Sequence, residues 1–121
     1  MKNTKMLKKN YEFRNVLSKG KYYSGKYIEA FIKKNNKNNN FLGIAIGVKI
    51  AKAVKRNKIK RLIRAVYTRN EARINYGYDI IFLWKKKSDT QNANFENINN
   101  DIRKIFDKAN MFIEDNKWRI Y

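Results

Sequence analysis

Neither cysteine nor histidine occurs among the 121 residues. Without cysteine there is no disulfide, no thiolate metal site and no thiol nucleophile. Without histidine the commonest general base and the commonest zinc ligand are gone. Acidic residues are scarce, 10 against 29 lysines and arginines. Glu71 and Asp79 stand isolated in the chain, and no clustered carboxylates are present to hold a catalytic metal pair. A free-standing protein nuclease is therefore disfavoured. No apolar run approaches the ~18 residues of a membrane span. The opening stretch Met1–Asn10 is basic but lacks an apolar segment, so it does not read as a signal peptide, and a cytoplasmic location is expected.

What is present is positive charge, a formal +19. A field of that strength opposes folding through self-repulsion and attracts polyanions. The favoured partner is a nucleic acid, because the charge is clustered; an anionic membrane surface is the main competitor. Abundant Lys, Asn and Ile also fit a genome rich in A and T, so part of the lysine excess reflects codon usage. Hydrophobic residues make up 43% of the chain, enough for one modest core. No repeat or linker divides the sequence, and a single domain over residues 1–121 is expected.

The periodicity predicts a mixed α+β domain in the order αβββαβα, with one sheet of about four strands. Lys8 to Lys19 reads as a first helix, stopped by Gly20 and stapled at its start by Met6 and Leu7. Lys26 to Lys33 alternates as a strand, with Ile28, Ala30 and Ile32 on one face and Tyr27, Glu29 and Phe31 on the other. The polar, Asn-rich run to Asn40 reads as a turn. In a second strand, Phe41 to Val48, the residues Leu42, Ile44, Ile46 and Val48 oppose a face of Gly43, Ala45 and Gly47. That small-residue face suits close approach, either by a ligand or by a packed helix. Ala53 to about Asn75 is the longest helical segment. Tyr78 to Lys85, entered through Gly77, is almost wholly apolar and reads as a strand covered on both faces. Phe95, Ile98, Ile102, Ile105, Phe106 and Ala109 then mark an amphipathic helix. Trp118 and Ile120 in the tail, residues 111–121, either dock on the core or fray.

Function concentrates in residues 49–64, where Lys49, Lys52, Lys55, Arg56, Lys58, Lys60, Arg61 and Arg64 meet no acid. On a helix from Arg56 onward, Arg56, Asn57, Lys60, Arg61 and Arg64 fall within an arc of roughly 140°. Ile59, Leu62, Ile63 and Val66 fall on the other side. Like charges four residues apart cost helix stability by a few tenths of a kcal/mol per pair. An anionic partner would offset that cost. Asn57 can donate to phosphate or read base edges, and arginine presents a fork suited to phosphate. A solvated basic face is the plainer alternative.

The same stretch resembles the signature of the bacterial ribonuclease P protein family, here Arg56-Asn57-Lys58, then Ile59, Lys60-Arg61, Leu62-Ile63 and Arg64. Leu7-Lys8-Lys9-Asn10 with Phe13 and Gly20, then Phe31, Gly43 to Gly47, and Asp79-Ile80-Ile81 extend the resemblance over roughly residues 7–110. Four positions depart from the pattern: Lys58 replaces an Arg, Ala51 a common Gly, Lys85 a common strand-end Arg, and Leu17 a frequent aromatic. The resemblance implies a fold like the second domain of ribosomal protein S5, with a left-handed βαβ crossover. It implies that Lys49, Lys52, Arg56, Asn57, Lys58, Lys60, Arg61 and Arg64 bind the catalytic ribonuclease P RNA. A cleft between the first helix and the sheet would hold the single-stranded 5′ leader of precursor tRNA, through Phe13, Leu17, Phe31, Ala45 and Gly47. Phe13 and Phe31 suit base stacking, although plain core packing suits them too. No catalytic residue is expected in the protein. The RNA subunit would hold Mg²⁺ and cleave, and no membrane or further protein is required. Two binding modules compete with this reading. One is a ribosomal or RNA-chaperone protein, which composition alone would suit; the other is a DNA-binding protein, which the lack of a helix-turn-helix pair argues against.

Overall fold

Alternating segments of the chain become strands, and segments with three- and four-residue apolar spacing become helices. The computed structural model describes residues 1–113. In chain order they form β1 (Thr4–Met6), α1 (Asn10–Lys19), β2 (Lys21–Ser24), β3 (Ile28–Lys34), β4 (Asn40–Ala45), α2 (Ala53–Asn70), β5 (Tyr78–Trp84) and α3 (Phe95–Lys108). The strands make one sheet in the order β1-β4-β5-β3-β2. β5 lies at its centre, parallel to β4 and antiparallel to β3. This explains its continuous apolar run: Ile80, Ile81, Phe82 and Trp84 are all buried, on alternate faces. Gly77, just before β5, takes a φ of +100°, which glycine reaches without strain. At the β3–β4 turn Asn36 has a φ of 58°, which asparagine tolerates better than most residues.

The two faces of the sheet are covered unequally. Ile28, Ala30, Ile32, Leu42, Ile80 and Phe82 meet Ile59, Ile63, Val66 and Tyr67 of α2 and Ile98, Ile102, Ile105 and Phe106 of α3 in the main core. On the opposite face the ten-residue α1 makes a smaller cluster. Leu7, Val16 and Ile81 are buried there, with Phe13, Phe31, Phe41 and Leu83 packed around them. Gly43 permits this packing: a Cβ at that position would stand 2.7 Å from the Phe13 ring and 3.1 Å from Leu7. At Gly43, therefore, the small-residue face of β4 serves a packed helix.

The sheet has five strands rather than about four. The additional strand is β1, which runs parallel to β4 with Thr4 beside Asn40 and Met6 beside Leu42. Three residues are too few to show a period. Met6 thus lies in a strand and packs on the main core, while Leu7 joins the cluster under α1. β4 ends at Ala45 rather than Val48, because the chain turns there, with the Ile50 N–H donating to the Gly47 carbonyl. Val48, expected on the core face, is 73% exposed. α2 ends at Asn70, and Glu71–Arg73 form a 3-10 turn instead of its last turn. Trp118 and Ile120 lie outside the described residues.

Two buried acids tie the periphery to this frame. The Glu71 carboxylate accepts from the N–H groups of Lys2 (2.8 Å) and Asn3 (3.3 Å) and from the Thr4 hydroxyl (2.5 Å). Tyr67, bonded to Thr4 and Asn40, completes the latch on β1. Burial opposes ionisation of Glu71, but these donors outweigh it and hold its carboxyl below the usual range. Asp101 of α3 accepts from the N–H groups of Lys26, Tyr27 and Ile28 at 2.7–2.9 Å, gripping the β2–β3 turn.

Candidate RNA-binding surfaces

α2 presents the first surface. Its apolar stripe, Ile59, Ile63, Val66 and Tyr67, is buried against the sheet and α3. Asn57, Lys58, Arg61 and Arg64 are exposed, and Lys60 is half-buried. Arg56 sits lower on the helix than an evenly exposed arc suggests. Its Nη1 donates to the Ala51 carbonyl at 2.7 Å and to that of Val48 at 3.5 Å. It thereby holds the loop that carries the exposed Lys49 and Lys52 beside the first turn of α2. Among the described residues the one ion pair is Lys33–Asp79, at 3.7 Å, on the sheet. No cation of α2 has an acidic partner there, so the face keeps its full field for an external anion.

Strand register builds the second surface, on the side of the sheet that α1 only partly covers. One row across the strands reads Tyr22, Phe31, Ile81, Gly43. α1 lies over it, with Phe13 against Gly43 and Val16 against Ile81. The next row reads Ser24, Glu29, Leu83, Ala45. All four of these residues are only half-buried. Leu17, one turn beyond Phe13, is 39% exposed at the helix edge. The result is a groove with α1 as its wall and half-open strands as its floor.

Of the residues expected here, Phe13 and Phe31 are half-buried in the small cluster, and Ala45 lies in the open row. Gly47 lies beyond the end of β4 and is exposed. With Lys49, Lys86, Ser88 and Asp89 it lines a cleft past the end of β4. Tyr22, Glu29, Leu83 and Lys85 were not expected as part of the groove. Tyr22 and Phe31 have ring centroids 5.3 Å apart, tilted at 58°. The Tyr22 hydroxyl donates to Glu29 Oε2 at 2.7 Å. That bond to the carboxylate holds the phenol above its usual pKa. The Lys85 ammonium donates to the Ser24 hydroxyl at 2.5 Å. Alternation alone places Glu29 with Phe31; only the pairing of β2 with β3 brings Tyr22 to them. Asp79 pairs with Lys33 and accepts from Asn35 Nδ2, which steadies the β3–β4 turn. A wider depression lined by Arg73, Arg103, Lys104 and Phe112 contains none of the expected residues.

Among the described residues no three carboxylates come close enough to share a metal ion. No described helix is long and apolar enough to cross a membrane.

A sequence model of the family described as Ribonuclease P matches residues 1–110. The chain is 35% identical to the ribonuclease P protein component of Clostridium kluyveri over 108 residues, 88% of this chain and 95% of that one. It is 43% identical to the corresponding protein of Natranaerobius thermophilus over 83 residues, 69% of this chain and 72% of that one. Among solved structures, the RNase P protein of Thermotoga maritima superposes with a TM-score of 0.77 at 27% identity, covering 91% of this chain and 98% of that one. That of Staphylococcus aureus gives 0.77 at 27% identity, covering 89% and 97%.

Proposed function

The chain belongs to the ribonuclease P protein family, and from that premise we propose how its two surfaces serve the ribonucleoprotein. α2 grips the catalytic RNA, and the groove beside α1 receives the single-stranded 5′ leader of precursor tRNA. The observation that carries this reading is the acid-free outer face of α2, where the exposed cations Lys58, Arg61 and Arg64 flank Asn57 and have no intramolecular counter-charge among the described residues. Phosphate contacts of this kind supply salt-dependent affinity and fix register on an RNA. The groove supplies what a single strand needs: the half-buried rings of Phe13 and Phe31 beside the small side chain of Ala45 and the exposed Leu17. Stacking on such rings contributes ~1–3 kcal/mol per base with little sequence demand.

The chemistry belongs to the RNA in this reading. The described residues hold no cluster of three or more carboxylates that could bind a metal ion, and the protein's part in this reading is to bind and position. Mg²⁺ held by the RNA subunit would support hydrolysis of the phosphodiester bond. The leader is released, and the mature tRNA keeps its 5′-phosphate. The protein raises substrate affinity and neutralises phosphates near the metals, and a cytoplasmic location follows from the same assignment. Mixing the protein with a bacterial ribonuclease P RNA and a precursor tRNA at low Mg²⁺ tests it. Cleavage at the mature 5′ end only when protein and RNA are both present is the expected outcome. Tight RNA binding without stimulation would favour a general RNA-binding module instead.

A further inference from the structure

The half-open row of the groove contains an acid, which is out of keeping with a surface that receives a polyanion. Every other half-buried or buried acid among the described residues has an internal task. Glu12 accepts from the Lys8 and Lys9 N–H groups at the start of α1. Glu71 latches β1, Asp79 pairs with Lys33, and Asp101 grips the β2–β3 turn. Glu29 does none of these. Its side-chain partner is the 49%-exposed Tyr22, which engages Oε2 alone. A surface whose only purpose was to attract phosphate would gain by losing this carboxylate.

We propose that Glu29, oriented by Tyr22, reads the edge of a leader base and favours bases that carry an exocyclic amino group. This rests on the leader-groove reading above and adds selectivity to it. A carboxylate accepts hydrogen bonds and cannot donate them. It pairs with the amino group of cytosine and repels the carbonyl that uracil presents at the same position. The Tyr22 hydroxyl fixes one oxygen and leaves Oε1 to accept. A phenol is protonated and donating at neutral pH, and the bond to Glu29 holds its pKa higher still. Phe31, 5.3 Å from Tyr22, provides a ring beside the pair. Lys85, bonded to Ser24 in the same row as Glu29, supplies a cation for the adjoining phosphate. The carboxylate thus turns the base edge inward and the backbone toward the lysine.

The test uses holoenzyme reconstituted with a ribonuclease P RNA. Two precursor tRNAs share one tRNA body and differ only in leaders of cytidine or of uridine, which present an amino group or a carbonyl at the same ring position. The expected result is tighter binding of the cytidine leader, by about fivefold. Glu29→Gln should bring the ratio close to one, mainly by improving the uridine leader, because an amide can donate to that carbonyl. Tyr22→Phe keeps the ring but removes the orienting bond, and should narrow the ratio in part. A purely structural role would weaken both leaders alike. Equal binding of the two leaders by the unmodified holoenzyme, or a ratio unchanged in Glu29→Gln, overturns the proposal while the groove stands. Failure of the unmodified holoenzyme to prefer either precursor over mature tRNA would remove the leader groove itself.

Discussion

The two faces of the sheet are made from the same strands, yet they do opposite work. On one, two helices close over Ile28, Ile32, Leu42, Ile80 and Phe82, and almost no apolar surface is left to water. On the other, the ten residues of α1 cover one row and leave the next half-open. The first face supplies stability through burial. The second keeps rings and small residues where a ligand can reach them, and so it contributes less to folding. The contrast shows that a chain with one modest core can leave a half-open groove by under-covering one face.

The largest expected effect falls on the closed face. Ile63, fully buried on the inner face of α2, should cost ~2–5 kcal/mol on change to Ala, read as a lowered unfolding midpoint, with leader preference per folded molecule unchanged. Phe31→Ala on the open face should reverse that pattern. Stability falls less, while precursor binding weakens by ~1–3 kcal/mol and mature tRNA binding holds. Equal losses for precursor and mature tRNA would make Phe31 core and erase the contrast between the faces.

Next comes the latch that holds β1 against the sheet. Glu71→Ala removes the acceptor for three donors and should cost about 1–3 kcal/mol. Because the folded carboxyl titrates below its usual value, its contribution is complete above the ordinary glutamate range and is lost as pH falls through the folded value. The protection of the Lys5 and Leu7 amides against hydrogen exchange, taken relative to the intrinsic rate at each pH, should therefore fall in acid. Glu71→Gln should flatten that dependence, and identical profiles for the two proteins would dismiss the latch.

The smallest stability effect is expected on α2. Arg61→Ala, at an exposed position, should leave stability within ~0.5 kcal/mol. It should also flatten the dependence of log K on log salt by nearly one contact, about 0.7–0.9. Arg56→Ala should change both quantities, because its guanidinium also holds the carbonyls of Val48 and Ala51. An unchanged salt slope for Arg61→Ala would take that residue out of the RNA interface.

The sequence by itself determined the α+β class, the alternation of β3, the buried character of β5 and the two sides of α2. Each of these is a local pattern repeated over enough residues to read, and the family signature in Arg56–Arg64 is local as well. The tertiary structure decided what depends on partners far along the chain. β1 has three residues and no period of its own; it exists because Glu71 and Asn40 hold it. β4 stops at Ala45 because the chain turns at Gly47. Arg56 has an internal role because a loop folds back beneath it. Tyr22 faces Phe31 and reaches Glu29 only through the β2–β3 register. Periodicity tells a residue which face it takes, but pairing across strands tells it which neighbours share that face, and the groove is made of neighbours.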